Sequence, residues 1–249
     1  MLHRRILQFL IVYLLGVGLL LTTKFTLGLS DYVIPGPASV WHTGQTQFLR
    51  YAGDVLDTFG VAVVGQVLSI IMATAVGVAG RRATWLGSFI KVAAYNVQAY
   101  PIVAIAPILF ILLGDGFLTR LFIAAMICYF PLLLSVIGIM SEPVADIEHF
   151  YRVTGRLRWQ LEVKIRAFEN LHKLTTVISG SATLAMAGTI VAEFIAANAG
   201  IGYSIRIALY QSDLAKILVA LFIIGITLSL YQGLLEMLGA GVKKAWAAG

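Results

Sequence analysis

The sequence predicts an all-α integral membrane protein with six transmembrane helices, and three observations predict it. Apolar runs of membrane-spanning length recur along the 249 residues, each near the roughly 20 residues that cross a hydrocarbon core of about 30 Å. Hydrophobic residues make up 59% of the chain and charged residues 12%, with a mean hydropathy of +0.90. The basic residues are unevenly placed between the runs, as expected of a chain that crosses a bilayer repeatedly.

The expected spans are residues 6–23, 58–80, 90–113, 117–140, 174–195 and 215–238, within a single domain covering 1–249. The first follows His3, Arg4 and Arg5 as a secretory signal would. No small-x-small cleavage site comes after it and further apolar runs do, so it is expected to remain as a helix. Residues 24–57 then carry the turn-forming Ile34-Pro35-Gly36-Pro37 stretch and an expected interfacial helix through Val40, Phe48, Leu49 and Leu56. The third span holds Pro101 and Pro107 and is expected to be kinked or partly unwound. With the N-terminus in the cytoplasm, 13 of the 18 Lys and Arg residues fall inside. Lys24, Arg50, Arg120, Arg206 and Lys216 fall outside. The expectation is therefore that both termini are cytoplasmic.

That orientation makes residues 141–173 the long inside loop, a dense mixed-charge segment in an apolar chain. Pro143, Asp146 and Glu148 mark a helix start, because carboxylates favour the positive end of the helix dipole. Ile147, Phe150, Tyr151 and Thr154 follow at helical spacing, and Gly155 is a natural stop. The segment could lie on headgroups through Arg152, Arg156 and Arg158. A two-turn helix with a projecting aromatic knob fits a partner protein's groove at least as well.

Several chemistries find no support. No Gly-Lys dipeptide occurs, so a GxxxxGK[ST] phosphate cradle is absent and nucleotide energy would have to come from another chain. HExxH, CxxC and GxSxG are absent, and the four histidines are scattered, which argues against a metal, a cofactor or nucleophilic catalysis. The net charge of +6 is explained by cytoplasmic loops rather than nucleic acid. Cys128, the sole cysteine, sits in an apolar run and reads as packing.

The polar residues within the spans are the remaining candidates, since such groups usually face a bundle interior or cavity. Glu193 either faces water near the outer boundary or gates the mouth of a pathway. Asn96, Gln98 and Tyr100 could line a path or satisfy carbonyls freed by Pro101, the latter being the stronger expectation. Gln66 is a weaker candidate. Small residues of the fifth span, among them Ser179, Ser181, Gly188 and Thr189, read as a close helix interface.

The inside loop resembles the cytoplasmic signature of binding-protein-dependent ABC importer permeases, Glu-Ala-Ala, three residues, Gly, nine residues, Ile-x-Leu-Pro. Gly155 and Ile165 hold the glycine and isoleucine positions. Arg152 and the Arg158-Trp159-Gln160 run are similar to the nitrate/sulfonate/taurine-type branch. So are Ile34 to Val40, Gly65 and Gly77, Pro101 and Pro107 with Gly114, and Ala192-Glu193 followed by Gly200-Ile201-Gly202-Tyr203. The resemblance runs from about residue 33 onward. It implies a type I importer permease (MetI-like) fold in a bacterial-type plasma membrane, with no catalysis in this chain. The implied partners are a second permease subunit, identical or different, a cytoplasmic ABC ATPase dimer and an extracytoplasmic solute-binding protein. The ATPase would dock on Ile147, His149, Phe150, Tyr151, Arg152, Thr154, Gly155, Arg158 and Trp159. Implied solutes are sulfonates, nitrate, or vitamin-precursor and aromatic compounds. Departures fall at His149, Phe150 and Tyr151 in place of Glu-Ala-Ala, and at Ala167-Phe168 in place of Leu-Pro. A heterodimer whose other half keeps the standard motif would account for them. The alternative class is an autonomous secondary transporter or channel, for which inverted repeats and paired membrane charges would be expected.

Overall fold

A computed structural model describes residues 2–142, 149, 153 and 159–247, and the described residues form helices joined by short turns. Helix α1 (Leu2–Leu27) ends where Gly28 takes φ +62. The Leu29 N–H returns to the Lys24 carbonyl at 2.9 Å, a Schellman closure that only a glycine adopts without strain. Pro37 opens α2 (Pro37–Ala79) at a position where a missing N–H costs nothing.

The 43 residues of α2 correct one expectation. The interfacial helix and the second span are one continuous helix, about 65 Å long at 1.5 Å per residue. Between residues 49 and 58 only Gly53 opposes helix, and one interior glycine costs about 1 kcal/mol, too little to break a helix of this length.

A 3₁₀ turn, Gly80–Arg82, leads into α3 (Thr84–Gln98), followed by α4 (Ile102–Leu113). These two meet at 83°, so the expected third span is two helices broken at Ala99–Pro101. Pro101 causes the break, since it disfavours helical geometry in Tyr100. Pro107 stays inside α4. Next come α5 (Phe117–Ser141), α6 (Trp159–Glu169), α7 (Leu171–Ile195), α8 (Ile201–Tyr210) and α9 (Leu214–Ala247). Among the described residues five helices are long and apolar enough to cross a membrane, and the bent α3–α4 pair makes a sixth crossing if counted as one.

Helices α2, α5 and α7 form the centre, where small residues let backbones approach. A Cβ on Gly188 would stand 3.0 Å from the Ala124 Cα, and one on Gly65 would stand 3.3 Å from the Ala124 Cβ. The core around them joins Tyr51, Val55, Cys128, Met186 and Ile201, with a second cluster of Ala73, Leu132, Leu133 and Val136. Gln66 lies in this interior at 1% exposure. Its amide donates to the Ile178 carbonyl at 2.8 Å and the Ser181 hydroxyl at 3.0 Å, while Tyr231 donates to its oxygen at 2.7 Å. One glutamine thus ties α2, α7 and α9. A buried amide so fully partnered costs little, whereas an unpartnered one would be expensive.

Helix α1 packs along α9 through Phe9, Tyr13 and Phe222, and Gly225 leaves the space that the Phe9 ring fills. The most apolar part of α1 is otherwise left uncovered by the other described residues.

Candidate functional site

The sequence Ala192-Glu193 followed by Gly200-Ile201-Gly202 folds into the most heavily bonded polar centre of the bundle. Glu193 ends α7 with no exposure at all. Its Oε2 accepts from the Thr58 hydroxyl at 2.8 Å and from the Gly202 N–H at 3.0 Å. Its Oε1 accepts from Arg120 Nη1 at 3.2 Å, and the same nitrogen donates to Asp57 Oδ2 at 2.8 Å. The Thr58 oxygen also accepts the Ile201 N–H at 2.9 Å. Two residues beyond Gly202 on α8, Ser204 donates to Asp54 Oδ2 at 2.5 Å.

The physical logic begins with α8. A helix N-terminus leaves its first N–H groups without intrahelical partners, and its dipole favours a negative charge there. Glu193 and Thr58 satisfy Gly202 and Ile201. The carboxylate comes so close because Gly200 and Gly202 have no side chains. A Cβ on Gly200 would lie 2.2 Å from Glu193 Cδ, and one on Gly202 would lie 2.4 Å from the Ile190 carbonyl oxygen. Gly200 also sits at φ +88, where an L side chain is strained. Arg120 supplies the counter-charge that a buried carboxylate requires, and Asp57, about half exposed, shares it. The cluster therefore clamps α2, α5, α7 and α8 at one end of the bundle.

Arg206 is committed nearby. Its guanidinium donates to the Ala197 carbonyl at 2.7 Å and the Phe194 carbonyl at 3.3 Å, and it lies over the Tyr203 ring. Asp115 accepts from the backbone and side-chain amides of Asn198, at 3.1 and 2.8 Å, bridging the α4–α5 turn to the turn before α8.

Of the residues singled out in sequence, Glu193 is placed in this centre, and the water-facing alternative is not what its burial shows. Asn96, Gln98 and Tyr100 lie exposed at the α3–α4 break. Among the described residues, none of these side chains bonds the backbone at the break, contrary to expectation. The break is closed by main-chain bonds, Ala99 N–H to Tyr95 O and Tyr100 N–H to Val97 O at 3.1 Å, and Ala104 N–H to Pro101 O at 2.9 Å. The positions Ile147, Phe150, Tyr151, Arg152, Thr154, Gly155 and Arg158 lie outside the described residues. His149 is helical and exposed, and Trp159 opens α6. Among the described residues no grouping of His, Cys, Asp and Glu could hold a metal.

Sequence reasoning missed Arg120, Asp57, Thr58 and Asp54. Their signal was spacing: positions 54, 57 and 58 share one helix face, and an arginine in the first turn of an apolar span needs an acid.

A second polar cluster sits at the opposite end, where α6 meets the turn after α2. Glu162 accepts from Arg81 and, at 2.9 Å, from Arg166 Nε; Arg166 also donates to the Glu142 carbonyl, and Lys173 pairs with the Glu142 carboxylate. Burial would push the Glu162 carboxyl up, but hydrogen bonds and charge from Arg81 and Arg166 outweigh it and hold the group below the usual carboxylate range. A depressed folded-state value means this tie contributes above the unfolded carboxyl's value of about 4.3 and is lost as pH falls through the lower folded value. Glu162→Gln, which imitates the protonated form, should speed tryptic cleavage within 159–169 at neutral pH by about fivefold or more, the equivalent of ~1 kcal/mol. Unchanged cleavage would show that the ion pairs do not hold α6 in place.

Comparison with known proteins gives this helical bundle its context. Residues 65–244 match the family model described as binding-protein-dependent transport system inner membrane component. The chain is 37% identical over 158 residues to the riboflavin transport system permease protein RibX of Chloroflexus aurantiacus, covering 62% of this chain and 59% of that protein. It is 23% identical over 219 residues to the formylaminopyrimidine transport permease protein ThiX of Halalkalibacterium halodurans, covering 86% and 83%. A probable ABC transporter permease protein of Haemophilus influenzae is 28% identical over 138 residues, covering 54% and 55%. The matched region takes in all of α5, α6, α7 and α8, the whole Glu162 cluster, and Arg120, Glu193 and Gly202 of the other, and on that ground the chain belongs to the family of inner membrane components of binding-protein-dependent transport systems.

Proposed function

We propose that this chain is the transmembrane permease subunit of an ATP-driven importer, forming half of the solute pathway beside a second permease subunit. The observation that carries this reading is the family match across residues 65–244, laid over a bundle with five or six candidate crossings. A separate cytoplasmic ATPase dimer supplies the energy, and an extracytoplasmic binding protein delivers solute to the Glu193 end. The basic-residue bias supports both termini lying in the cytoplasm. Closure of the ATPase pair then draws the docked inside loops together and shifts the bundle between inward-open and outward-open states, two conformations separated by their different contacts.

The docking surface in this reading is Ile147 to Trp159. What supports it is the Gly155 to Ile165 spacing, together with the Glu162, Arg166 and Glu142 ties that root the following helix in the bundle. A rooted segment can transmit force, whereas a loose one cannot. The Tyr151→Ala, Arg152→Glu double variant should insert normally yet lose the ATPase on copurification. Wild-type recovery of the ATPase would remove the docking assignment.

For the solute, we propose a small nitrogen heterocycle of the vitamin or vitamin-precursor kind rather than nitrate or a sulfonate. Two relatives carry names of that kind, one a riboflavin and one a formylaminopyrimidine transport permease. In addition, Arg120 and Arg206 at the Glu193 end are already engaged by acids and carbonyls, which leaves neither to bind an anion. Uptake of labelled riboflavin, formylaminopyrimidine, taurine and nitrate by cells carrying the complete system separates the two classes. Uptake of taurine or nitrate alone would overturn the heterocycle assignment.

A further inference from the structure

Beside the N-terminus of α1, helices α1, α7 and α9 converge on a cavity of about 640 Å³ with charged side chains among its walls. Close packing shapes it. Gly239 of α9 leaves space that Thr175 of α7 occupies, and Gly233 does the same for Leu2 of α1. Arg4, Arg5, His172, Thr176 and Lys243 line the cavity, with Glu236 as the acid among its walls. Arg5 takes that acid in a two-pronged ion pair. Among the described residues, Arg4 and Lys243 make no ion pair of their own, so the cavity carries surplus positive charge.

The surroundings of the cavity distinguish it from an ordinary basic loop. Leu7, one turn along α1 from Arg4, is an exposed apolar side chain, and Met237, Leu238 and Val242 are exposed on the flanks and far side of α9. Further along α1, Ile11, Leu14 and Leu15 continue the same exposed apolar surface. A ligand filling this place needs a compact anion with several acceptor oxygens, and hydrocarbon attached to it. Arg and Lys suit phosphate oxygens, Arg as a planar fork and Lys as a point charge. Cationic pockets between transmembrane helices at the membrane surface are where acidic headgroups bind.

We propose that this cavity binds the phosphate headgroup of an anionic phospholipid, with the acyl chains lying on the exposed faces of α1 and α9. The lipid then joins the first and last helices of the chain to α7. The site is independent of which solute the protein carries.

The test uses the full-length chain, delipidated in detergent and mixed with phosphatidylglycerol or phosphatidylcholine of equal chain length, with bound lipid counted by native mass spectrometry. Wild-type protein should retain phosphatidylglycerol in preference to phosphatidylcholine. The Arg4→Gln, Lys243→Gln double variant should bind phosphatidylglycerol roughly thirtyfold more weakly, as expected for two lost surface cations. Lys91→Gln with Lys164→Gln removes the same charge from α3 and α6 and should leave binding unchanged. Equal retention of both lipids by wild-type protein would overturn the proposal without any variant. So would equal weakening in both double variants, which would mark general charge attraction. Millimolar inorganic phosphate displacing phosphatidylglycerol completely would reassign the cavity to a soluble phosphate and overturn the lipid assignment.

Discussion

Glu193→Ala is expected to destabilise the protein by about 3–5 kcal/mol, the cost of leaving one partner of a buried ion pair uncompensated. Arg120 would keep only Asp57, whose carboxylate is 49% exposed and shares its charge with solvent. Arg120 Nε already has no partner, so the guanidinium has no second acid to turn to among the described residues. At the same time the Gly202 N–H and the Thr58 hydroxyl lose the acceptor that fixes α8 against α2. Glu193→Gln keeps an oxygen for those donors and loses only the charge, so it should cost less than the alanine. The decisive comparison is the pair Glu193→Leu with Arg120→Leu. Removing both charges together should destabilise less than removing either alone, because replacing a whole buried pair by apolar side chains is often near neutral. Thermal unfolding of the detergent-solubilised protein measures all five, the two leucine singles and their double included. Wild-type melting for Glu193→Ala, or strict additivity of the leucine pair, would remove the ion pair from any role in holding this end together.

The difference between what could and could not be read in sequence follows the range of each interaction. Span-length apolar runs and the Pro101 break are local properties, and both are visible residue by residue. The continuity of α2 was hidden because the polar positions Arg50, Asp54 and Asp57 look like a membrane surface in one dimension. In the fold, Asp54 and Asp57 face Ser204 and Arg120 from helices 150 and 63 residues away. Glu193 stood out as an acid in an apolar run, but its partners belong to three other helices, and sequence order says nothing of that meeting. The Gly200 and Gly202 pair reads in sequence as a glycine-punctuated turn and as part of a family-like segment. Its physical reason, room for a carboxylate against a helix N-terminus, needs coordinates. Gln66 shows the same limit: it was a minor polar candidate in a span, and it proves to hold three helices.

Gly202→Ala is expected to be the more damaging of the two glycine substitutions, even though Gly200 has the stranger backbone. The new Cβ at 202 would meet the Ile190 carbonyl oxygen at 2.4 Å and the Phe194 nitrogen at 3.0 Å, and neither backbone atom can rotate away. Helix α8 would have to back off α7, stretching the Gly202 bond to Glu193, so the cost should exceed the ~1–3 kcal/mol of ordinary overpacking. At Gly200 the Cβ meets the end of the Glu193 side chain, and the positive φ adds about 1–2 kcal/mol. This difference predicts a pattern of coupling. In a Glu193→Ala background the Gly200→Ala clash disappears, and only the backbone strain remains, so its added cost should fall. The Gly202→Ala clash with Ile190 is untouched by that change, so its cost should persist. Gly180→Ala is the matching control: it lies inside α7 with nothing within 4 Å of a new Cβ, and it should stabilise the helix by up to about 1 kcal/mol. Melting temperatures of the three alanine variants, with and without Glu193→Ala, give the whole set. If Gly202→Ala melts with Gly180→Ala, then α8 does not press on α7 as closely as its two glycines allow, and the clamp at this end must rest on charge alone.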